Sequence, residues 1–587
     1  MASETATVVA AAEAVVPEQT QTKKKLHGRA FYESIGSPKH IVAPMVDQSE
    51  FAWRMLSRSF LSPSERSSLL AYSPMFHARL FATDQKYRDS HFQPTRSPLG
   101  KEQPKKPSSE PAPSSRDDTP YLDGNPAIDR PLFVQFCAND PASLLAAAQL
   151  VAPHCDAVDL NLGCPQGIAR KGHYGAFLQE DQALIHEMVR TLHEGLPVPV
   201  TAKIRILDTR EATLAYARNV LSAGASILTV HGRRREQKGH MTGVADWGYI
   251  RYLRDNLPPE TVIFANGNIL QHGDVERCLE ATGADGVMSA EGNLSDPGVF
   301  AEPPAPGEEG REYWRGRDGR GGWRVDAVMR RYLDILHKYV LHQDPPARRP
   351  LFLPGDDEAW IGEQAAAEAE ADAEEPARKK RKKDGGGGGK EGRPTSPNLI
   401  AVQPHLFHML RHFVSRHTDV RDALAKARMG DLANYERILA MVERRVAEGL
   451  LEYERTDGAS FEADATNTAF EAKAKQAEEA KEKQQPAGGG EGAEEDEAES
   501  SAGTIRRCKR PWWVAQPIVR PLPKEAVAKG ALQLSKKEKM KLEEEQNARR
   551  KVDDIVAQPQ KTGGEKVEGA AELEKTTSYP VSELVAG

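Results

Sequence analysis

Cysteine is scarce in this chain of 587 residues. There are five thiols, Cys137, Cys155, Cys164, Cys278 and Cys508, an odd number with no C-x-x-C pair. That count and spacing argue against a zinc finger and a disulfide framework, and they fit a reducing compartment. Long apolar runs are missing too. The stretch at residues 8–16 is interrupted by Glu13 and has no basic flank, so neither a secretory signal nor a bilayer-spanning helix is expected. No G-x-G-x-x-G follows a strand-like run, which argues against a Rossmann core. No charge sign dominates: the net charge is −7, and acidic tracts such as Glu363–Glu375 and Glu491–Glu499 mask local basic clusters. Charge is therefore read segment by segment.

What is present is unevenly distributed. Residues 93–122, 355–396 and 456–587 are rich in Pro, Ser, Gly, Glu and Lys. Such segments bury too little apolar surface to offset chain entropy, so they are expected to be a disordered insertion, a disordered insert and a mostly disordered tail. Residues 1–37 are expected to be a disordered N-terminal tail, and 320–455 a helical domain, with helical spacing in Trp323–Leu341, Pro404–Phe413 and Tyr435–Leu450. Residues 38–300 are dense. Eight short strand-like runs occur there, at His40–Ala43, Ala71–Ser73, Leu132–Phe136, Ala157–Leu160, Val200–Ile204, Ser226–Val230, Val262–Ala265 and Gly286–Met288. Helical segments such as Pro141–Val151, Gln182–His193, Thr213–Ala223 and Trp247–Asn256 lie between them, and Gly224 and Gly283 stand where C-caps belong. Eight strands alternating with helices imply a (β/α)8 TIM barrel.

The polar residues support that architecture. Each strand run is closed or followed by special residues: Pro44-Met45, Pro74-Met75, Gln135, Asn161 to Pro165, Lys203, His231-Gly232, Asn266-Gly267-Asn268 and Ala290-Glu291-Gly292. In a barrel they all gather at the C-terminal mouth, where chemistry is housed. The small-residue turns after the seventh and eighth strands can cradle a phosphate, or can be ordinary βα turns. Lys203 at a strand end calls for a negative partner. The anionic edge of a reduced isoalloxazine would supply one, and so would a salt bridge across the mouth. Gln135 can bond the ring's pyrimidine edge, Met45 can lie against its face, and His231 can meet the flavin or act as a core histidine. Cys164 sits between Gly163 and Pro165, which fix its loop. A thiol is mostly protonated at neutral pH and so can donate a proton. Buried, inert cysteine is the alternative.

Asn161-Leu162-Gly163-Cys164-Pro165, with Ala43 to Asp47 upstream and Lys203-Ile204-Arg205, Val230 to Arg233 and Ala265 to Asn268 downstream, resembles the tRNA-dihydrouridine synthases. The order of these motifs is similar to the family's over nearly the whole barrel. The forms of Gln135 to Asp140, Gln166 to Gly175 and Ser289 to Gly292 resemble the eukaryotic branch acting at D-loop positions 16 and 17. The resemblance implies FMN held by Pro44, Met45, Val46, Gln135, Lys203, His231, Asn266, Gly267 and Asn268, with Ala290 and Glu291 at its phosphate. It implies NADPH, or NADH, as reductant, hydride delivery to uracil C6 and protonation of C5 by Cys164. Glu291 departs from the Gly-Arg often seen in the wider family, so only its backbone N–H is expected to contribute.

Arg205, Arg233, Arg234, Arg235 and Lys238 are expected to meet tRNA phosphates, with solvated loop charge as the alternative. The helical domain resembles the family's tRNA-binding domain. His405, His408 and His412 lack a fourth ligand, so a polar, RNA-facing or solvated helix face is expected rather than a metal site. The basic-aromatic segment at 504–522, including Trp512 and Trp513, could stack on RNA or dock on the protein. Arg378–Lys383 resembles a nuclear localisation signal, which gives nucleus and/or cytoplasm as the expected location. A free-pyrimidine reductase and a non-catalytic RNA-binding barrel remain as alternatives.

Overall fold

The computed structural model describes residues 25–96, 99, 118–370, 396–464 and 501–528. Eight parallel strands close into a barrel: β1 His40–Val42, β2 Leu69–Tyr72, β3 Leu132–Cys137, β4 Ala157–Leu162, β5 Val200–Arg205, β6 Ile227–His231, β7 Val262–Asn266 and β8 Gly286–Ser289. Each pairs with its neighbours in sequence, and β8 returns to β1. A two-residue strand, Phe76–His77, runs on beside the end of β3. The strands are near-continuous apolar runs because both faces are covered, one by the barrel interior and one by helices. Helices start where a side chain satisfies their first N–H groups: Asp140, Asp181, Thr209 and Asp246 each accept from the first turn that follows. Gly224, with φ +110°, lies so close to the His193 ring that any Cβ would collide with it.

The barrel's floor is formed by residues expected to be a tail. Helix Gly28–Ser34 buries Phe31 and Tyr32. Phe31 stacks on Phe133 at 5.8 Å, and the Tyr32 hydroxyl donates to the Asp285 carbonyl at 2.9 Å. Seven residues are too few for periodicity to show in sequence, and the ordered chain begins before the expected boundary at residue 38.

After the barrel a hairpin, β9 Tyr313–Arg315 and β10 Gly321–Trp323, leads into helix Val325–Ile335. The helical part continues with Val402–Met409, Arg411–Arg416, Thr418–Lys426 and the long helix Leu432–Arg455. The single helix expected over Pro404–Phe413 breaks at Leu410. Two expected disorder boundaries also shift. Residues 359–370 are helical, and Glu368 pairs with Arg444 at 2.5 Å. Residues 501–528 dock as a strap. Val325 N–H donates to the Trp513 carbonyl at 3.0 Å, and Ala515 N–H donates to the Trp323 carbonyl at 2.8 Å. A Cβ on Gly449 would lie 2.6 Å from the Trp512 ring. Trp512 and Trp513 thus serve docking on the protein. The remaining residues of the insertion and tails, Arg378–Lys383 among them, lie outside the described residues.

The histidine row is not solvated either. His405 is fully buried, bonds the Glu50 carboxylate at 3.0 Å and stacks on Trp53 at 4.0 Å. His412 meets the Pro517 carbonyl. Helix periodicity shows which side chains share a face; it does not show that the barrel covers this one.

Arg54, Arg58, Asp123 and Asp129 form a buried cluster at the root of the insertion after β2. Burial alone would raise the Asp129 carboxyl, but the Arg54 and Arg58 guanidiniums win and hold it below its ordinary value. Its stabilisation is therefore present above the ordinary carboxylate range and lost as pH falls through the depressed value. Asp129→Asn is expected to destabilise the protein by about 3–5 kcal/mol, because the buried Arg58 guanidinium loses its carboxylate and Arg54 keeps only Asp123. Urea unfolding checks this, and a change below about 1 kcal/mol would mean that the cluster is not isolated from solvent.

Candidate active site

Cys164 follows β4 in a loop tied down from two sides. The Gly163 and Cys164 N–H groups donate to Asn161 Oδ1 at 3.1 and 2.9 Å. Arg205 Nε donates to the Gly163 carbonyl at 2.8 Å. The thiol is half-buried, whereas Cys137, Cys155, Cys278 and Cys508 are buried.

The loop is anchored in turn by a network inside the barrel. Asn161 Nδ2 donates to Gln135 Oε1 at 2.8 Å, and Gln135 Nε2 donates to Asp159 Oδ2 at 2.8 Å. Thr201 Oγ1 donates to Asp159 Oδ1 at 2.6 Å. Strand register produces this layer, since Gln135 lies opposite Asp159 and Asp159 opposite Thr201. Burial pushes the Asp159 carboxyl up to about 6, against the pull of Thr201, Gln135 and Lys203. Each amide is oriented by its neighbours, which leaves one Gln135 Nε2 hydrogen for a ligand.

A second layer, nearer the mouth, carries the cations. Asn161 is opposite Lys203, Arg205 opposite His231, and His231 opposite Asn266. The Lys203 ammonium makes no hydrogen bond or ion pair with a described residue, so the expected salt-bridge alternative is not formed. Burial first, and the Arg205 charge next, push it down to about 8. Arg205 and Arg233 are also pushed down by burial, to about 10 and about 9. Burial and these three cations hold His231 well below its ordinary value, hence neutral, and its Nε2 accepts from Arg233 at 3.1 Å. Crowded, desolvated cations of one sign make a site that favours an anion.

The turns after β7 and β8 are tightly built. Gly267 has φ +116°, and a Cβ there would stand 2.6 Å from Ala245 Cβ and 3.2 Å from the His231 ring. Asn268 uses its amide to bind Ala245 N–H and C=O and to accept from Arg233 at 2.9 Å. Asn266 donates to the Met288 carbonyl. The side chains of Asn266 and Asn268 thus shape the turn. Met45 is buried with its N–H on Ser49 Oγ; Pro44 is half-buried, and Val46 is 53% exposed at the mouth. Ala290 precedes the short helix Glu291–Ser295.

The five residues expected to bind RNA divide. Arg205 and Arg233 are only 8% and 3% exposed. Arg205 is committed to the carbonyls of Gly163 and Arg234, and Arg233 to that of Gly243. This corrects their placement: they brace loops and charge the mouth rather than reach out to an RNA backbone. Lys238 donates to the Pro165 carbonyl. Arg234 and Arg235 are more open, each paired with exposed acids. Sequence reasoning gave no role to Asp159, Asn161 or Thr201. Polar residues at every second position of β4 and β5 were the available signal. It also missed the ion pair of Glu291 with Arg520 at 2.5 Å.

A thiol, unpaired cations and close-packed turns at the C-terminal mouth of a closed (β/α)8 barrel define the class: an enzyme barrel with its chemistry on the βα loops. Residues 41–313 match the dihydrouridine synthase family. The chain is 45% identical over 402 residues to a tRNA-dihydrouridine(16/17) synthase of Saccharomyces cerevisiae, covering 68% of this chain and 72% of that one. It is 37% identical over 507 residues to the Schizosaccharomyces pombe tRNA-dihydrouridine(16/17) synthase, covering 86% and 94%. A tRNA-dihydrouridine(20a/20b) synthase-like protein of Mus musculus is less similar, at 34% over 264 residues, covering 44% and 68%. The chain belongs to the dihydrouridine synthase family.

Only one thiol is exposed enough to react quickly in the folded protein. Native alkylation is expected to label one equivalent, lost in Cys164→Ala. Several equivalents labelled at the same rate would contradict the burial of the other four.

Proposed function

We propose that the protein reduces uridine to dihydrouridine in the tRNA D-loop at positions 16 and 17, with FMN in the barrel mouth and NADPH or NADH as reductant. The observation that carries this is the unpartnered Lys203 ammonium beside the braced Cys164 loop. Support for the substrate comes from the relatives, which are named for tRNA-dihydrouridine(16/17) synthesis with NAD(P)(+). The chain carries no dinucleotide-binding motif, which suits a reductant that visits transiently.

The residues present fit a flavin mononucleotide. Lys203 answers an anionic ring edge, and Gln135 keeps one free donor. The close turn at Gly267, with His231 and Arg233 beside it, suits a phosphate. When bound, FMN supplies the hydride that adds to C6 of uracil. The chain does the rest. The mouth receives a uridine flipped out of its loop, because a stacked base cannot reach the site. Asn161 and Arg205 hold the Cys164 loop, so that its thiol donates a proton to C5. Arg234 and Arg235 at the rim are placed for the RNA backbone. Nuclear as well as cytoplasmic location, through Arg378–Lys383, belongs to the same proposal, and mutation of that run in a tagged protein tests it.

Base-resolved dihydrouridine mapping on unmodified tRNA, with FMN and NADPH, tests the activity. Modification at positions 16 or 17 is expected to fall by about 100-fold or more in Cys164→Ala, the scale of a lost general acid. A folded, flavin-loaded protein that reduces free pyrimidines but not tRNA would contradict the proposal. Lys203 gives a pH test. Its charge is lost as pH rises through about 8, so FMN affinity of the apoprotein is expected to weaken above that pH. Lys203→Arg, which stays protonated, is expected to flatten the profile. An unchanged profile would remove Lys203 from the flavin.

A further inference from the structure

The strap at 501–528 does more than dock. Past Trp513 it accepts from His412 at Pro517 and then reaches the barrel mouth. There Arg520 donates to both Glu291 carboxylate oxygens, Nε at 3.2 Å and a terminal nitrogen at 2.5 Å. Three residues on, Pro523 lies 3.9 Å from where a Cβ on Gly243 would stand. Glu291 follows β8, Gly243 lies in the loop after β6, and the Gly267–Asn268 turn of β7 is between them. The strap therefore spans the three loops that form the phosphate end of the site. Arg233, the buried cation of that end, donates to the Gly243 carbonyl beneath Pro523.

Glu291 poses a problem at this place. A carboxylate bordering a phosphate site repels the ligand unless it is neutralised. The groups that face it electrostatically are Arg233, His408 and Arg520. Arg233 is committed to His231, Gly243 and Asn268. His408 is pushed down by burial, so it is uncharged at neutral pH. Arg520 is the cation that touches the carboxylate. We propose that Arg520, delivered by the C-terminal strap, is the counter-ion that makes Glu291 compatible with a flavin phosphate, so that the strap is a working part of the cofactor site. This rests on the FMN reading above.

The test is fluorescence titration of the full-length apoprotein with FMN and, separately, riboflavin, which lacks the phosphate. Arg520→Ala is expected to weaken FMN binding by about tenfold while changing riboflavin binding less than about twofold. Adding Glu291→Gln to Arg520→Ala is expected to restore most of the loss, which a merely misfolded strap would not show. Equal weakening of both ligands without rescue by Glu291→Gln would overturn the proposal, because Arg520 would then only support the fold. Unchanged FMN affinity with weakened tRNA binding would also overturn it and assign Arg520 to the RNA surface. A wild-type protein that binds neither ligand would instead refute the flavin reading itself.

Discussion

The carboxylate of Asp159, buried inside the barrel, is the constraint on which the site depends. It accepts from Thr201 and from Gln135, and through Gln135 it orients Asn161, whose oxygen in turn fixes two N–H groups of the Cys164 loop. A half-satisfied buried network is worse than none, so each link requires the next. Neighbouring strand positions in β3, β4 and β5 contribute the members, and the closed barrel leaves them no alternative register. A thiol on a surface loop thereby inherits the rigidity of the sheet.

The cations above this layer tell the complementary half of the account. Arg205 lowers the proton affinity of both Lys203 and Arg233, and all three are desolvated. Such crowding is tolerable when an anion belongs there. The rest of the molecule closes around the mouth. The buried Glu50–His405 pair joins the barrel to the helical part, and the strap returns from that part to Glu291. The helical part and strap thus meet the barrel on the side where β1 and β8 adjoin.

Much of this was legible in sequence, and the reasons it was or was not are physical. The eight strands showed because each is a short apolar run with a turn at its end, and the resulting boundaries lie within a few residues of those observed. Cys164, Lys203 and the Gly267 turn stood out because each breaks the local pattern: a thiol between Gly and Pro, a charge in a strand, a glycine between two asparagines. Asp159 and Thr201 did not, since nothing in a linear pattern says which inward residue finds a partner across strands. The burial of Arg205 and Arg233 was hidden for the same reason: charge type is visible in sequence, but a carbonyl partner is not. The strap was half legible: the basic-aromatic stretch at 504–522 stood out within a tail whose composition points to disorder, but only the structure decides between RNA stacking and docking, with Trp512 and Trp513 packed on Gly449 and Trp314.

The central claim is that one mouth joins a flavin, a flipped uridine and the Cys164 thiol. The most direct test is anaerobic: the protein, flavin-loaded and prereduced, is mixed with unmodified tRNA without further reductant, and flavin absorbance is followed. The account predicts reoxidation in step with dihydrouridine formation, slowed strongly in Cys164→Ala and absent with tRNA already carrying dihydrouridine at its D-loop. Reoxidation that ignores the state of the D-loop, or no reoxidation by tRNA at all, would contradict it.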